Sequence, residues 1–324
     1  MKLEANFGGL GLGGQMQTLQ NDIPTRQALD ENKRLLRARD RSYRTAKLTQ
    51  GMLVILSISL PLSAIYFAPN FPQIKPYVAL LGLILLLLET AVIDQVQKGR
   101  LKLGAKIQEQ FDTEVFKLPW NRFVTGARAE SEDIRSLSAK PLSKRREKHF
   151  QAWYEPCVGR LPIHLARLVC QRTNISYDSR LRRRYGNWLL FLTIVFGIAL
   201  SLIGLNRGLL VPDLVMTLVV PFMPVLNWAL KERLQQVNAA ASLTNLVGEW
   251  DKIWTKALDG DDSVHITAES RALQDAIYQK RERSPLVFDW VYDLLRSSNE
   301  DEAYHAAEEL VAQAEKKLQE ASNA

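Results

Sequence analysis

Cysteine is scarce in this chain: Cys157 and Cys170 are the only two in 324 residues. They lack the paired spacing of a zinc site, and nothing about them suggests a disulfide framework. The four histidines, His149, His164, His265 and His305, stand apart from one another, with no H-E-x-x-H pair. The phosphate loop G-x-x-x-x-G-K-[ST] and the nucleophile elbow G-x-S-x-G are absent as well. Runs that alternate apolar and polar residues are nearly absent, which argues against a β-rich fold. These gaps together predict a protein that is not an enzyme, with no catalytic residue, no metal and no cofactor.

What the chain has in quantity is long apolar sequence. Residues 51–68 read GMLVILSISLPLSAIYFA without a charge, and further runs follow at 77–93, 188–205 and 209–230. At ~1.5 Å per residue each is long enough to cross most of a ~30 Å hydrocarbon layer. Short connections at 70–75 and 206–208 join them as two pairs, and a long polar segment separates the pairs. The expected fold is all-α: four transmembrane helices in two hairpins, plus a helical cytosolic domain.

Lys and Arg outnumber Asp and Glu by 42 to 35. In a soluble chain such an excess suggests nucleic acid. Here much of it flanks the apolar runs, so a nucleic-acid polymer is not an expected partner and the lipid bilayer is. Arg37, Arg39, Arg41, Arg44 and Lys47 precede the first run, and Lys98, Arg100, Lys102 and Lys106 follow the second. Arg180, Arg182, Arg183 and Arg184 precede the third, and Lys231 and Arg233 follow the fourth. The two short connections carry only Lys75 and Arg207. The positive-inside rule then predicts that both termini and the middle segment are cytoplasmic.

The expected organisation runs as follows. A Gly-rich tail covers 1–23, a cytosolic helix 24–50 and the first hairpin 51–95. A cytosolic helical segment covers 96–187, the second hairpin 188–230, a second cytosolic segment 231–297 and an Ala/Glu/Lys-rich tail 298–324. Gly9, Gly11 and Gly14 fit G-x-G-x-x-G. Too few residues precede them for the strand that a dinucleotide site needs, so they read as tail. The polar stretch before residue 51 predicts no cleavable signal peptide. Pro24 suits the first turn of a helix that continues into the first span. Leu103, Ile107, Phe111 and Val115 keep helical spacing, whereas 126–148 reads as a loop. A helix over 161–171 is expected to break at 174–178. Leu243, Leu246, Val247, Trp250, Ile253, Trp254 and Ala257 form a strong apolar stripe on a helix continuing from the fourth run. The acidic run 259–263 stops that helix. It fails as a calcium loop because Val264 and Ser270 occupy the positions where that loop needs Gly and Glu. Helices over 268–281 and 287–295 complete the expected cytosolic part.

Within the apolar runs, Glu89 is a carboxylate about one turn from the cytoplasmic end of the second. It reads either as a pore-facing group or as a snorkelling one paired near the interface. Ser57 and its neighbouring hydroxyls, with Gly197 and Ser201, permit close helix packing or could line a water path. Pro61, Pro221 and Pro224 are kinks and candidate gating hinges, although proline is ordinary in membrane helices. Outside the runs, Arg167 and Arg172 with Asn174 are candidate donors to a phosphate-bearing ligand, with Arg281 and Arg283 next. Structural pairing with C-terminal acids is the competing reading.

Several stretches occur in one order: KIQEQFD at 106–112, LPWN at 118–121, Trp153-Tyr154, LPIHLAR at 161–167 and CQRTN at 170–174. YDSRLRRRY at 177–185, LQDAI at 273–277 and SPLVFDW at 284–290 follow. Together with the two-plus-two spacing of apolar runs, they resemble the SMODS-associated four-transmembrane family of pore-forming effectors over most of 25–297. The resemblance implies an effector of bacterial anti-phage defence in the inner membrane. It also implies a homo-oligomer that permeabilises that membrane, and a cyclic oligonucleotide trigger made by a separately encoded nucleotidyltransferase. It supplies no catalytic residue. A non-conducting membrane receptor or scaffold is the alternative. A small transporter is disfavoured by the lack of inverted repeats with broken helices.

The basic flanks generate one direct test: reporter fusions at residue 1 and at residue 324 should both give a cytoplasmic signal. A periplasmic signal from either would reject the two-hairpin topology.

Overall fold

The structure, a computed structural model, describes residues 19–67, 94–206 and 220–323, with a few isolated positions between them. The glycine-rich start, most of the second apolar run and the first half of the fourth lie outside the described residues. Every regular element described is helical. In chain order these are α1 (Ile23–Gln27), α2 (Asp30–Phe67), α3 (Asp94–Phe116), α4 (Arg122–Thr125), α5 (Ser131–Ser138) and α6 (Lys144–Gln151). A 3₁₀ turn, Pro156–Arg160, leads to α7 (Ile163–Asn206), and then come α8 (Val220–Leu258), α9 (Ser263–Arg283) and α10 (Asp289–Asn323).

Three helices set the architecture. α2, α7 and α8 have 38, 44 and 39 residues, so the longest extends roughly 66 Å. Each has one polar end packed into a helical body and one apolar end. Ala38, Ala46, Leu181, Tyr185, Leu243 and Trp250 are buried at the polar ends. Beyond Gly51 on α2 and Asn187 on α7 the pattern inverts: Met52, Ile55, Phe191, Ile194, Ile198 and Leu202 are exposed. Water disfavours an apolar belt this size, whereas lipid tails accept it. Among the described residues, α7 is the one helix long and apolar enough to cross a membrane. Within the belt, Leu200 and Val225 are buried, with Ile58, Phe196 and Leu226 around them, so the three helices touch there.

The body has one main core. Ile107, Phe111, Val115 and Phe116 of α3 pack with Leu161, Leu165, Leu168 and Val169 near the start of α7. The α8 stripe joins the same core: Trp250 and Trp254 stack at 5.2 Å between ring centroids. Their indole nitrogens are occupied, Trp250 Nε1 donating to the Leu168 carbonyl at 2.7 Å and Trp254 Nε1 to Gln313 Oε1 at 3.1 Å. The acidic run after α8 acts as punctuation. Gly260 takes a φ of +88°, and Asp262 caps α9 by accepting from the Val264 amide.

Four expectations are corrected. The charged N-terminal helix is not continuous from Pro24, because a turn at 28–29 separates α1 from α2. The stretch 126–148 is not a loop throughout: it contains α5 and the start of α6, and Ile134 of α5 is buried in the core. No break occurs at 174–178, where α7 is continuous. Asn, Ser and Asp compete with helix only when their side chains turn back on the local backbone. Here Asn174 Nδ2 donates to the Tyr154 hydroxyl, Asp178 accepts from Arg182 and Ser179 donates to the Ala240 carbonyl. Finally, the short aromatic helix and the tail expected after it form one helix, Asp289–Asn323. Ala303, Ala307, Val311 and Ala314 are buried, and Glu302 and Glu308 pair with Arg184 and Arg160. The body therefore includes 23–46 and the C-terminal segment as well as 96–187 and 231–297.

The stacked indoles predict a large stability loss on truncation. Trp250→Ala should destabilise the body by about 3–5 kcal/mol, read from thermal unfolding in detergent. Val264→Ala, at an exposed position, should stay within about 0.5 kcal/mol.

Candidate functional site

Two carboxylates one turn apart on α3, Glu109 and Asp112, are fully buried. Buried charge is tolerated only when paired and hydrogen-bonded, and α9 supplies both partners. Arg271 Nη2 donates to Glu109 at 2.5 Å and to Asp275 at 2.7 Å, while Arg281 Nη1 donates to Asp112 at 2.9 Å. Gln274 Nε2 bridges the two acids at 2.9 and 3.1 Å. The Tyr154 hydroxyl donates to the other Asp112 oxygen at 2.7 Å and accepts from Asn174 at 3.0 Å. Burial pushes Glu109 up to about 7, against the pull of Arg271. Burial also opposes the charge on Arg281, but Asp112 outweighs it, so Arg281 titrates above the usual arginine value.

Beside this network lies a cavity of about 210 Å³. It sits where α2, α6, α7, α9 and the start of α10 meet, just on the body side of the apolar belt. Five cationic side chains line it, Arg39, Lys47, Arg146, Arg182 and Arg281, against three carboxylates, Asp40, Asp178 and Asp289. The Arg39 guanidinium lies 4.9 Å from the Tyr43 ring centroid and 5.0 Å from that of Trp153. Arg182 reaches Asp178, Gln236 and the Pro285 carbonyl. Asp289 bridges two cations, Lys47 Nζ at 2.6 Å and Arg146 Nη2 at 3.3 Å. Arg146 also donates to Asp40 at 2.7 Å. Chemically, paired cationic donors next to aromatic rings are groups suited to a compact anion.

The structure separates the residues that sequence reasoning grouped. Asn174 lines the cavity, but Arg167 and Arg172 do not. Arg167 instead caps the C-terminus of α3, donating to the Phe116 carbonyl at 2.5 Å and to the Thr267 hydroxyl at 2.9 Å. Phe116 is followed by Lys117 at φ 55°, which ends the helix and turns its carbonyl toward Arg167. The Arg172 guanidinium lies over the Trp250 ring at 5.4 Å. Arg281 lines the cavity, whereas the Arg283 side chain is largely exposed beside Glu282. Ser57 and Pro61 fall within α2, and Pro221 and Pro224 within α8, both helices running on through them. Glu89 lies outside the described residues. Among the described residues no three His, Cys, Asp or Glu side chains could hold a metal ion. Sequence reasoning missed Arg39, Lys47 and Arg146 as a set, because the first two read as topogenic charge and the third as loop. The one local sign was an Arg39-x-x-x-Tyr43-x-x-x-Lys47 stripe at helical spacing.

Long helices that carry a basic cavity at one end and a lipid-compatible belt at the other define a class: a helical transmembrane protein with a folded polar body. Within that class, residues 21–310 match the SMODS-associating 4TM effector domain, and the chain belongs to this family. A protein of Bacillus cereus (strain VD146), named a probable CBASS effector molecule, is 28% identical over 294 residues. That alignment covers 86% of this chain and 94% of the relative. No solved structure matches the chain.

Two predictions come from the buried groups. Burial raises the folded-state Glu109 carboxyl to about 7, against 4.5 for an exposed one, despite its hydrogen bonds from Arg271 and Gln274. The stability this contributes is fully present below the lower value and lost as pH rises through the upper one. Thermal unfolding in detergent should show that decline, and Glu109→Gln should flatten it. Arg167→Met should cost about 1.5–3 kcal/mol by removing charged hydrogen bonds to the α3 terminus, with the Glu109-dependent decline unchanged.

Proposed function

We propose that this protein is a membrane effector of bacterial anti-phage defence that oligomerises and permeabilises the inner membrane on receiving a cyclic oligonucleotide signal. Membership of the effector family supplies the defence role, and a relative named a probable CBASS effector supports the link to nucleotide signalling. In this reading the protein crosses the membrane four times as two hairpins, with both termini and the body in the cytoplasm. It performs no catalysis: the signal is bound, not converted.

The observation that carries the reading is helix continuity. α2, α7 and α8 pass from the body into the apolar belt without interruption. A helix is stiff over this length, so displacing its polar end moves its apolar end. Gating follows if the signal binds one arrangement of the body more tightly than the other. One protomer places too few helices in the bilayer to enclose a wide channel, so several subunits share it.

The test is dye release from liposomes of Escherichia coli polar lipids carrying the purified full-length protein. Leakage should require a cyclic oligonucleotide and should rise more steeply than linearly with protein density. Ligand binding without leakage at any density would favour the receptor or scaffold alternative. Leakage that ignores added nucleotide would reject the trigger.

A further inference from the structure

We infer that the cavity between α2, α6, α7 and α9 is a phosphodiester site, and that the ligand's phosphate replaces Asp289 between Lys47 and Arg146. The inference rests on the proposed effector reading and assigns its signal to particular residues.

The first support is the shape of what occupies the place now. Asp289 presents one oxygen to Lys47 and the other to Arg146. A phosphodiester likewise presents two non-bridging oxygens that share one negative charge, so the same pair of donors fits it. Arg146 contacts two carboxylates at once, Asp40 through Nη1 and Asp289 through Nη2, and so keeps a partner when either leaves.

The second support is imbalance. Cationic side chains around the cavity outnumber carboxylates. Burial pulls the Lys47 ammonium below its ordinary value even with Asp289 beside it. A ligand with two phosphodiesters brings more negative charge than the Asp289 carboxylate it displaces and relieves that excess. The walls also suit a base or sugar, because Tyr43 and Trp153 flank Arg39. The Tyr43 hydroxyl is buried and has no hydrogen-bond partner among the described residues, which leaves a donor unused beside the cavity.

The third support is where Asp289 sits. It is the first residue of α10, and 284–288 joins it to α9 without helix. Pro285, Leu286 and Val287 of that connection line the cavity. Release of Asp289 therefore breaks the ionic ties between the start of α10 and α2 and α6, while apolar packing through Val291, Ala303, Ala307 and Val311 keeps α10 docked. Lys47 lies one turn before Gly51, where the exposed face of α2 becomes apolar, so the step reaches the membrane end of that helix directly.

A phosphodiester at this height can be a soluble nucleotide or a lipid headgroup. Full-length protein in detergent is titrated calorimetrically with cyclic di-AMP, cyclic di-GMP, cyclic GMP–AMP and cyclic tri-AMP, and separately with dioctanoyl phosphatidylglycerol. Arg146→Gln and Lys47→Gln should each weaken binding at least about tenfold. Asp289→Asn should tighten it several-fold. Should Asp289→Asn fail to fold, Asp40→Asn, which frees Arg146 alone, should tighten binding in its place. Gel filtration and thermal unfolding report the folding of every variant. A nucleotide that follows this variant pattern supports the site and its soluble signal. Phosphatidylglycerol alone following it supports a headgroup site and moves the nucleotide trigger elsewhere. Binding that ignores all the variants, or no binding by any probe, overturns the inference. The effector reading fails separately, by liposomes that never leak.

Discussion

Asp112 is the group on which the body turns. Its carboxylate is wholly removed from water, a position that costs several kcal/mol unless every oxygen is engaged. Both are: one accepts from Arg281 and Gln274, the other from Tyr154. Those three partners come from α9 and from the segment between α6 and the 3₁₀ turn, so one side chain ties α3 to both. Tyr154 then passes the constraint to Asn174, which sits in the part of α7 where a break is most expected. The pairing of Glu109 with Arg271 repeats the arrangement one turn earlier. Removing one member of such a set leaves an uncompensated charge, so the network specifies a single register between α3 and α9.

That register places Arg281 in the cavity wall. The same helix therefore serves the buried network through one face and the basic cavity through its last turn. Around the cavity, cations are already held by internal acids, and Asp289 holds two of them at once. In the proposed reading, an anion entering here competes with a carboxylate already in place, which favours a specific ligand over bulk salt. In the same reading the long helices supply the mechanical link, since polar and apolar ends belong to one continuous helix. Membership of an effector family gives that link a purpose in the reading proposed above.

Much of this was legible from residue pattern. The apolar runs, the α8 stripe through Trp250 and Trp254, the buried face of α3 and the stop at 259–263 depend on local periodicity and on capping chemistry. Both are written in neighbouring residues. The family motifs at 106–121 and 161–185 coincide with the core and the network, which is why they carried the resemblance. The misplacements share one cause. Arg167 and Arg172 looked like ligand donors because sequence shows a side chain's chemistry but not its partner, and their partners lie on α3, α9 and α8. The break at 174–178 looked certain because Asn, Ser and Asp are helix competitors unless a distant group takes their hydrogen bonds.

The sequence by itself determined the helical class, the apolar belt, the boundary at Gly51 where α2 changes surface, and the absence of the short catalytic motifs. Each of these follows from composition and spacing over a few turns. Only the tertiary structure decided which charges are consumed in pairing and which gather around a cavity. Arg39, Lys47, Arg146, Arg182 and Arg281 are spread over some 240 positions of the chain. They meet because the buried pairs of α3 and α9, the packing of α2 against α3 and α8, and that of α7 against α8 bring distant turns together. Charge acts through space, and the distances that set its strength do not exist until the chain has folded.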